Sequence, residues 1–138
     1  MKVKSIFLFL MSVSALVMMS FGFPQEQKKP GPWEIPAEYK AKENTYKDDA
    51  SIEKLGKALY SKHCRACHGN TGEGDGSKSR NLETWPGDFS DGTIQAYTDG
   101  ELYYMSIIGR DEMPNFESKI TDDEARWAVV NYIRTFSK

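Results

Sequence analysis

The sequence predicts an all-α fold, with three to four helices joined by long loops. Two segments, near residues 52–62 and 121–136, carry apolar residues at the spacing of amphipathic helices. No segment stands out for the alternation of apolar and polar residues that is typical of β-strands. The chain has 138 residues, a length that favours one domain.

Residues 1–22 have the pattern of an export signal. Lys2 and Lys4 precede a long apolar run without charge, and the small residues Ser20 and Gly22 stand just before the expected cleavage point. The run is also as long as the ~20 residues that span a bilayer, so an uncleaved N-terminal membrane anchor is the alternative. In both cases the rest of the chain is expected outside the cytoplasm, as a periplasmic or otherwise exported protein.

Residues 23–50 are predicted to form an extended Pro-rich linker. They contain four of the chain's six prolines and many charged residues, a composition that does not build a core of its own. Trp33, Ile35 and Tyr39 are the main apolar side chains of the linker. We expect these three side chains to pack on the surface of the following domain, as a structural strap.

The charge balance limits the partners of the protein. The formal net charge is -2, and it becomes -4 once Lys2 and Lys4 are removed with the signal. This mildly acidic balance argues against nucleic acid as a partner, and the sequence contains no block of basic residues for an anionic membrane. Membrane contact is therefore expected only through an uncleaved N-terminal segment.

Residues 51–138 form the predicted domain, and its first helix covers about residues 52–62. Asp49 or Ser51 is placed to cap this helix. Gly56 lies on the apolar face, and because glycine costs about 1 kcal/mol relative to alanine inside a helix, it predicts the close approach of another helix. The expected apolar face consists of Ile52, Leu55, Leu59 and Tyr60.

A glycine-rich segment, residues 69–92, is predicted to be an irregular loop. No P-loop lysine–serine pair follows its glycines, and its acidic residues do not have the spacing of an EF-hand. A nucleotide or calcium site is therefore not expected there. Because the loops carry few apolar residues, the core is expected to be thin unless another group helps to fill it.

Two further helices are predicted from pairs of residues with the spacing of a capping box. Thr98 and Glu101 begin one helix, which Gly109 is placed to end, and Thr121 and Glu124 begin the last helix. The expected apolar face of the former consists of Leu102, Met105 and Ile108. The apolar stripe of the last helix consists of Ala125, Ala128, Val129, Tyr132, Ile133 and Phe136.

Both cysteines and both histidines of the chain lie in the sequence HCRACH, residues 63–68. Zinc needs four ligands in a tetrahedron, but each histidine here is the neighbour of a cysteine, and adjacent side chains on a helical turn diverge. A thiol–disulfide motif is expected to open a helix beside a sheet, whereas this one follows a helix in a chain without strand patterns. Zinc, thiol–disulfide exchange and a structural disulfide are therefore the less favoured alternatives.

The spacing C-x-x-C-H is the attachment pattern of c-type haem. Cys64 and Cys67 lie three residues apart on one turn, where both thiols reach the haem vinyl groups and form thioethers. His68 then projects its imidazole over the porphyrin to bind the iron. One covalently attached haem c also fills the thin core. His63 has no such role and is expected to be a surface residue near the haem edge.

The sixth ligand of the iron is expected to be a methionine, because no further histidine is present in the chain. Outside the signal and the first residue, the methionines are Met105 and Met113. Met105 lies on the apolar face of a predicted helix and is expected to pack in the core. Met113 lies in the loop GRDEMPNF, where Pro114 fixes the backbone after it. Met113 is therefore the predicted axial ligand.

Several segments resemble those of class I cytochromes c, small monohaem electron carriers of bacterial periplasms and mitochondria. GKALYSKHCRACHG resembles the first helix and the haem motif of this family, and GDG at residues 74–76 resembles part of its central loop. LYYMSIIGRDEMPNF resembles the loop with the axial methionine, and WAVVNYIRTF resembles the last helix. The resemblance covers about residues 51–136.

This resemblance implies the cytochrome c fold, in which helices and long loops wrap around one covalently bound haem. It implies thioether bonds at Cys64 and Cys67, and iron ligation by His68 and Met113. A loop carbonyl of the family accepts a hydrogen bond from Nδ1 of the proximal histidine, and Pro86 is the candidate for that carbonyl.

The resemblance also implies that the first and last helices cross, so that Gly56 and Tyr60 meet the region of Tyr132. The crossing belongs to the architecture of the family. It gives a structural reason for the glycine inside the first helix.

The implied function is one-electron transfer between redox proteins, without enzymatic activity. A membrane-bound reductase or oxidase is the kind of partner expected. Lys57, Lys62 and Arg65 lie near the expected haem edge, where a simple solvated face is the favoured interpretation and steering of an acidic partner is the alternative. The alternative is a haem enzyme or gas-binding protein with a labile distal methionine. A metal or thiol module without haem is a third hypothesis.

Overall fold

The computed structural model describes residues 26–47 and 49–138. The predicted signal or anchor, residues 1–22, lies outside the described residues. Within the described ranges no helix is long and apolar enough to cross a membrane. These ranges contain no strand, only the isolated bridges Lys28–Thr84 and Arg110–Met113, so the predicted all-α class is confirmed.

Six α-helices are present in the described part of the chain. They are Ala37–Lys40 (α1), Glu53–His63 (α2), Arg65–His68 (α3), Gly92–Gln95 (α4), Asp99–Tyr103 (α5) and Asp123–Arg134 (α6). A π-helix, Tyr104–Ile108, continues α5, and single 3₁₀ turns occupy Ala50–Ile52 and Ser79–Asn81. The three predicted helices correspond to α2, to α5 with its π-helix, and to α6, while α1, α3 and α4 are single turns of four residues.

The start of α2 is fixed by a 3₁₀ turn that Asp49 caps. The Asp49 carboxylate accepts a hydrogen bond from the Ser51 N–H at 2.9 Å, as expected for one of the two predicted caps. On the predicted apolar face, Ile52 and Tyr60 are buried, but the prediction is wrong for Leu55, whose exposure is 38%. The face of α2 that meets the core is therefore narrower than the four predicted residues.

The predicted crossing of the first and last helices is present at Gly56. A Cβ at this position would overlap the backbone carbonyl of Ala128 in α6. One turn later, the ring of Tyr60 packs against Tyr132, with 5.2 Å between the ring centroids. The absence of a side chain at Gly56 therefore lets the two helix backbones approach each other.

The predicted capping box of α5 is confirmed, with hydrogen bonds in both directions between Thr98 and Glu101. Gly109 ends the π-helix with a φ of 73°, as expected of a glycine stop. The predicted apolar face of this helix is wrong by one position at its end, because Ile107 is completely buried while Ile108 is only half-buried. The wider π-helical turn, closed by the Gly109 N–H on the Tyr104 carbonyl, shifts the residue that faces the core.

The predicted capping box of α6 is wrong, since the helix begins at Asp123 and its N-cap residue, Asp122, makes no side-chain capping bond. Asp123 and Glu124 instead place negative charge in the first turn, where the helix dipole favours it. The Asp123 carboxylate also accepts hydrogen bonds from Tyr103 and from the indole of Trp127. The buried residues of α6 are Trp127, Ala128, Val129, Val130 and Ile133, a wider face than the predicted stripe.

Residues 26–47, which we call the strap, run across the domain. The expected packing of the three apolar side chains is observed. Ile35 is buried, Trp33 meets Tyr104 edge-on, and Tyr39 packs on Tyr104 at 4.8 Å between centroids. The core beneath consists of Leu102, Tyr103, Ile107, Phe116, Ile120, Trp127, Val129, Val130 and Ile133.

Candidate functional site

The segment Cys64–His68 forms one helical turn at the end of α2. Cys64 lies between α2 and α3, and its carbonyl oxygen accepts hydrogen bonds from the N–H groups of Cys67 and His68, at 3.1 and 3.0 Å. The three predicted residues are therefore brought together by local backbone geometry. This spacing gives two thiols and an imidazole on a single turn.

The glycine-rich loop fastens this turn from the other side. Backbone N–H groups of Gly74 and Gly76 donate to the carbonyls of His68 and Cys67, at 3.0 and 3.1 Å. The buried hydroxyl of Tyr60 donates to the Gly69 carbonyl at 2.8 Å. The carbonyls at the end of α3, which have no partner within the helix, are thus hydrogen-bonded by the glycine-rich loop, and the loop holds the turn in place.

Both cysteines carry free thiols, with Cys64 buried and Cys67 half-buried. Burial, and to a smaller extent the neighbouring Cys67, raises the pKa of the Cys64 thiol to about 12. A protonated thiol is a weak nucleophile, so this environment does not suit rapid thiol–disulfide exchange.

His68 is buried, and its ring stacks on Phe89 with 4.5 Å between centroids and 17° between planes. Burial lowers the pKa of the imidazole to about 4, so the ring is neutral at physiological pH. Neutral imidazole is the form that binds a metal. Two free thiols and this buried neutral imidazole fit the attachment and proximal ligation of a c-type haem.

The predicted hydrogen bond from His68 to Pro86 is not present. Nδ1 of His68 is buried and has no partner among the described residues. The His68 ring instead stacks on Phe89, which lies in the same glycine-rich loop as Pro86. No sequence pattern indicates Phe89, because a single aromatic residue in an irregular loop carries no periodic signal.

Met113 lies in a separate loop, residues 109–116, which we call the methionine loop. Its N–H donates to the Arg110 carbonyl at 2.8 Å, and its side chain is half-buried against the core. Gly109 is required at the start, since its φ is 73° and a Cβ there would overlap the Met113 carbonyl. Met105 lies in the π-helix and is also half-buried against the core, as expected.

The two parts of the candidate site meet through His63 and Phe116. The ring of His63, at the end of α2, packs on Phe116 at the end of the methionine loop, 5.7 Å away. Burial, followed by the nearby Lys62 and Lys119, lowers the pKa of His63. His63 is half-buried, and its Nε2 has no partner among the described residues, so it is less exposed than expected.

Within the described residues, no three His, Cys, Asp or Glu side chains are grouped as for a metal ion. A surface recess of about 320 Å³ lies elsewhere, between the strap and the start of the methionine loop. Its lining residues are Pro32, Trp33, Glu34, Tyr104 and Arg110. None of the four predicted site residues lines this recess.

The model of one protein family, described as "Cytochrome C oxidase, cbb3-type, subunit III", matches residues 53–133. The match extends from the first residue of α2 to the last turn of α6, and it includes Cys64, Cys67, His68 and Met113. A search of the curated proteins found no match.

Proposed function

Because the chain belongs to this family of cbb3-type cytochrome c domains, we propose that it is a monohaem one-electron carrier with His/Met-ligated iron. The family is one of class I monohaem c-type cytochromes with the all-α cytochrome c fold, and its members bind haem c covalently. The family accounts for a role in haem-based electron transfer. The ligands, the roles of single residues and the partners are our proposal.

Attachment of the haem is assigned to Cys64 and Cys67, and proximal ligation of the iron to His68. The observation that carries this assignment is the single turn on which two free thiols precede a buried neutral imidazole. Haem c supplies the couple between ferrous and ferric iron. The chain supplies a buried ring at a fixed orientation, because Phe89 stacks on one face of His68.

Met113 is assigned as the distal ligand. Support comes from its half-buried side chain and from a loop whose backbone is fixed by Gly109 before it and by Pro114 after it. A thioether ligand raises the reduction potential of a cytochrome relative to a second imidazole. With His68 and Met113 both bound to the iron, no coordination site would remain for a substrate, so the protein would transfer electrons without enzymatic activity.

Electron exchange is expected near the attachment turn, since Cys67 is half-buried there while Lys57, Lys62 and Arg65 are exposed. These cations have no ion-pair partner among the described residues and are placed to steer an acidic redox protein. We propose a membrane-bound reductase or oxidase as such a partner. Cytochrome c domains are usually exported, and we propose a periplasmic location with an N-terminal signal peptide or anchor.

The test is the intact mass and the reduced absorption spectrum of protein produced in a host that attaches haem. We expect the mass of one covalent haem and a c-type spectrum. The double variant Cys64→Ala, Cys67→Ala should lose the covalent haem, whereas Met105→Leu should retain it. A zinc-containing, haem-free protein, or a b-type spectrum of the unmodified protein, would show that the proposal is wrong.

A further inference from the structure

We propose that the strap, acting through Arg110, holds the methionine loop in place and thereby keeps Met113 available as a ligand. Arg110 is then a positioning residue for the distal side of the site. The functional part of this inference rests on the proposed ligation by Met113. The structural part, that the strap holds the loop, stands on contacts between described residues.

Arg110 is the direct link between the methionine loop and the strap. Its guanidinium donates to the carbonyls of Pro32 and Gly31, at 2.5 and 2.6 Å. The guanidinium also lies over the ring of Trp33, 4.0 Å from its centroid. Trp33 in turn meets the ring of Tyr104 edge-on. Planar guanidinium groups are suited to such combined stacking and two-carbonyl contacts, which lysine does not reproduce.

The backbone carries this constraint from Arg110 to Met113. The carbonyl of Arg110 accepts the Met113 N–H, so the two residues close a four-residue turn. Inside this turn Asp111 has a φ of 49°, in the left-handed region that residues other than glycine seldom adopt. A turn of this kind is not favoured by local preference alone, so outside contacts are needed to hold it.

Glu112 provides a second link to the strap. Its carboxylate accepts hydrogen bonds from the N–H groups of Glu83 and Thr84, at 3.0 and 2.9 Å. The same segment pairs with the strap, because Lys28 donates to the Glu83 carbonyl and accepts from the Trp85 N–H. Arg110 and Glu112, the two neighbours of Asp111, are therefore both linked to the strap: Arg110 directly, and Glu112 through residues 83–85.

Release of the methionine loop from the strap is expected to weaken the binding of Met113 to the iron. A thioether is a neutral and weak ligand for iron, so its occupancy depends on how well the protein holds it near the metal. If the strap releases the loop, Met113 leaves more often, and the distal position opens to small molecules. The strap would thus keep Met113 on the iron, as electron transfer requires, and its release would leave the distal position free for small molecules.

The experiment compares full-length haem-loaded variants. Arg110→Gln removes both carbonyl contacts and the cation over Trp33, and Trp33→Ala removes the ring from the strap side. Arg110→Lys keeps the charge but loses the two-carbonyl geometry. Arg80→Gln is the matched control, because the exposed Arg80 side chain has no hydrogen bond or ion pair among the described residues.

Two measurements are made on each variant. Hydrogen exchange of the Met113 amide reports opening of the methionine loop, and the rate of carbon monoxide binding to the ferrous protein reports the distal position. For Arg110→Gln and Trp33→Ala we expect both rates to rise about tenfold, as loss of a cation–π contact and charged hydrogen bonds implies. Arg110→Lys should fall between these variants and the wild type, and Arg80→Gln should match the wild type.

The outcomes separate the proposal from a general loss of stability. An exchange increase confined to the strap and the methionine loop supports it, while an equal increase in the buried part of α6 overturns it. Unchanged exchange in Arg110→Gln and Trp33→Ala also overturns it. If Met113→Ala leaves carbon monoxide binding slow, the assignment of Met113 fails instead, and the exchange of the loop still decides whether the strap holds it.

Discussion

At the scale of single residues, the Glu112 carboxylate shows how an exposed side chain fixes a loop. The backbone N–H groups of Thr84 and Glu83 donate to it and lower the pKa of Glu112 below its ordinary value. The folded chain therefore binds this proton less tightly than the unfolded chain. The contact stabilises the fold at neutral pH, and its effect is lost as the pH falls through the lowered pKa.

We predict that the Thr84 amide resonance follows the titration of Glu112, with a midpoint below the range of an ordinary glutamate. The measurement is an NMR titration of the haem-loaded protein into the acid range. Glu112→Gln, which keeps the shape but does not ionise, should abolish this transition. A Thr84 resonance that titrates in Glu112→Gln as in the wild type would assign the transition to another group.

At the scale of helices, the crossing of α2 and α6 depends on Gly56. A methyl group there would overlap the Ala128 carbonyl, which belongs to the backbone and has no rotamer to relieve the contact. We predict that Gly56→Ala destabilises the protein by roughly 1–3 kcal/mol, although alanine favours a helix by about 1 kcal/mol over glycine.

Denaturant unfolding of the haem-loaded protein gives this difference in the free energy of unfolding. Lys57→Ala is the control on the exposed side of the same helix and should change stability by no more than about 0.5 kcal/mol. If Gly56→Ala were as stable as the wild type, the close approach of the two helices would be contradicted.

The π-helix after α5 gives a prediction about register. Ile107 is completely buried and Ile108 is half-buried, the reverse of a regular α-helix with Ile108 on the apolar face. We predict that Ile107→Ala costs about 2–5 kcal/mol and Ile108→Ala about 1 kcal/mol. Chemical denaturation of the pair measures both, and equal losses, or a larger loss at Ile108, would contradict the π-helical register.

The sequence predicted those helical features that depend on near neighbours. The capping box at Thr98, the glycine stop at Gly109 and the part of the buried face of α6 formed by Ala128, Val129 and Ile133 all follow from residues within a few positions of one another. The capping box expected at Thr121 is absent, since α6 begins at Asp123, whose carboxylate accepts a hydrogen bond from Tyr103, 20 residues away in the sequence. A contact of that range is not visible in a local sequence pattern.

In the candidate site, too, the features set by neighbouring residues could be predicted from the sequence, and those set by distant contacts could not. Cys64, Cys67 and His68 share a turn because their spacing places them there, so local spacing was sufficient. The stacking of Phe89 on His68 and the links from Arg110 and Glu112 join segments that are far apart in sequence. No pattern in a single sequence specifies such pairs, because any exposed arginine or loop aromatic has many equivalent partners before the chain folds.

At the scale of the whole molecule, the domain and its strap form one packed body among the described residues. The core lies mainly between α5, its π-helix and α6, and the strap covers that side through Ile35 and Tyr39. His63, which directly precedes the Cys64–His68 turn, contacts this core at Phe116. In the proposed site the haem would be attached at the Cys64–His68 turn, and Met113 would be supplied by the methionine loop, a separate segment that packs on the same core.

The central claim is the pairing of His68 with Met113, and carbon monoxide binding to the native ferrous protein tests it most directly. The rate is compared for the wild type, Met113→Ala and Met105→Ala. We predict slow binding in the wild type and in Met105→Ala, and fast binding in Met113→Ala, which opens the distal position. Fast binding by the wild type, or an open site only in Met105→Ala, would contradict the account.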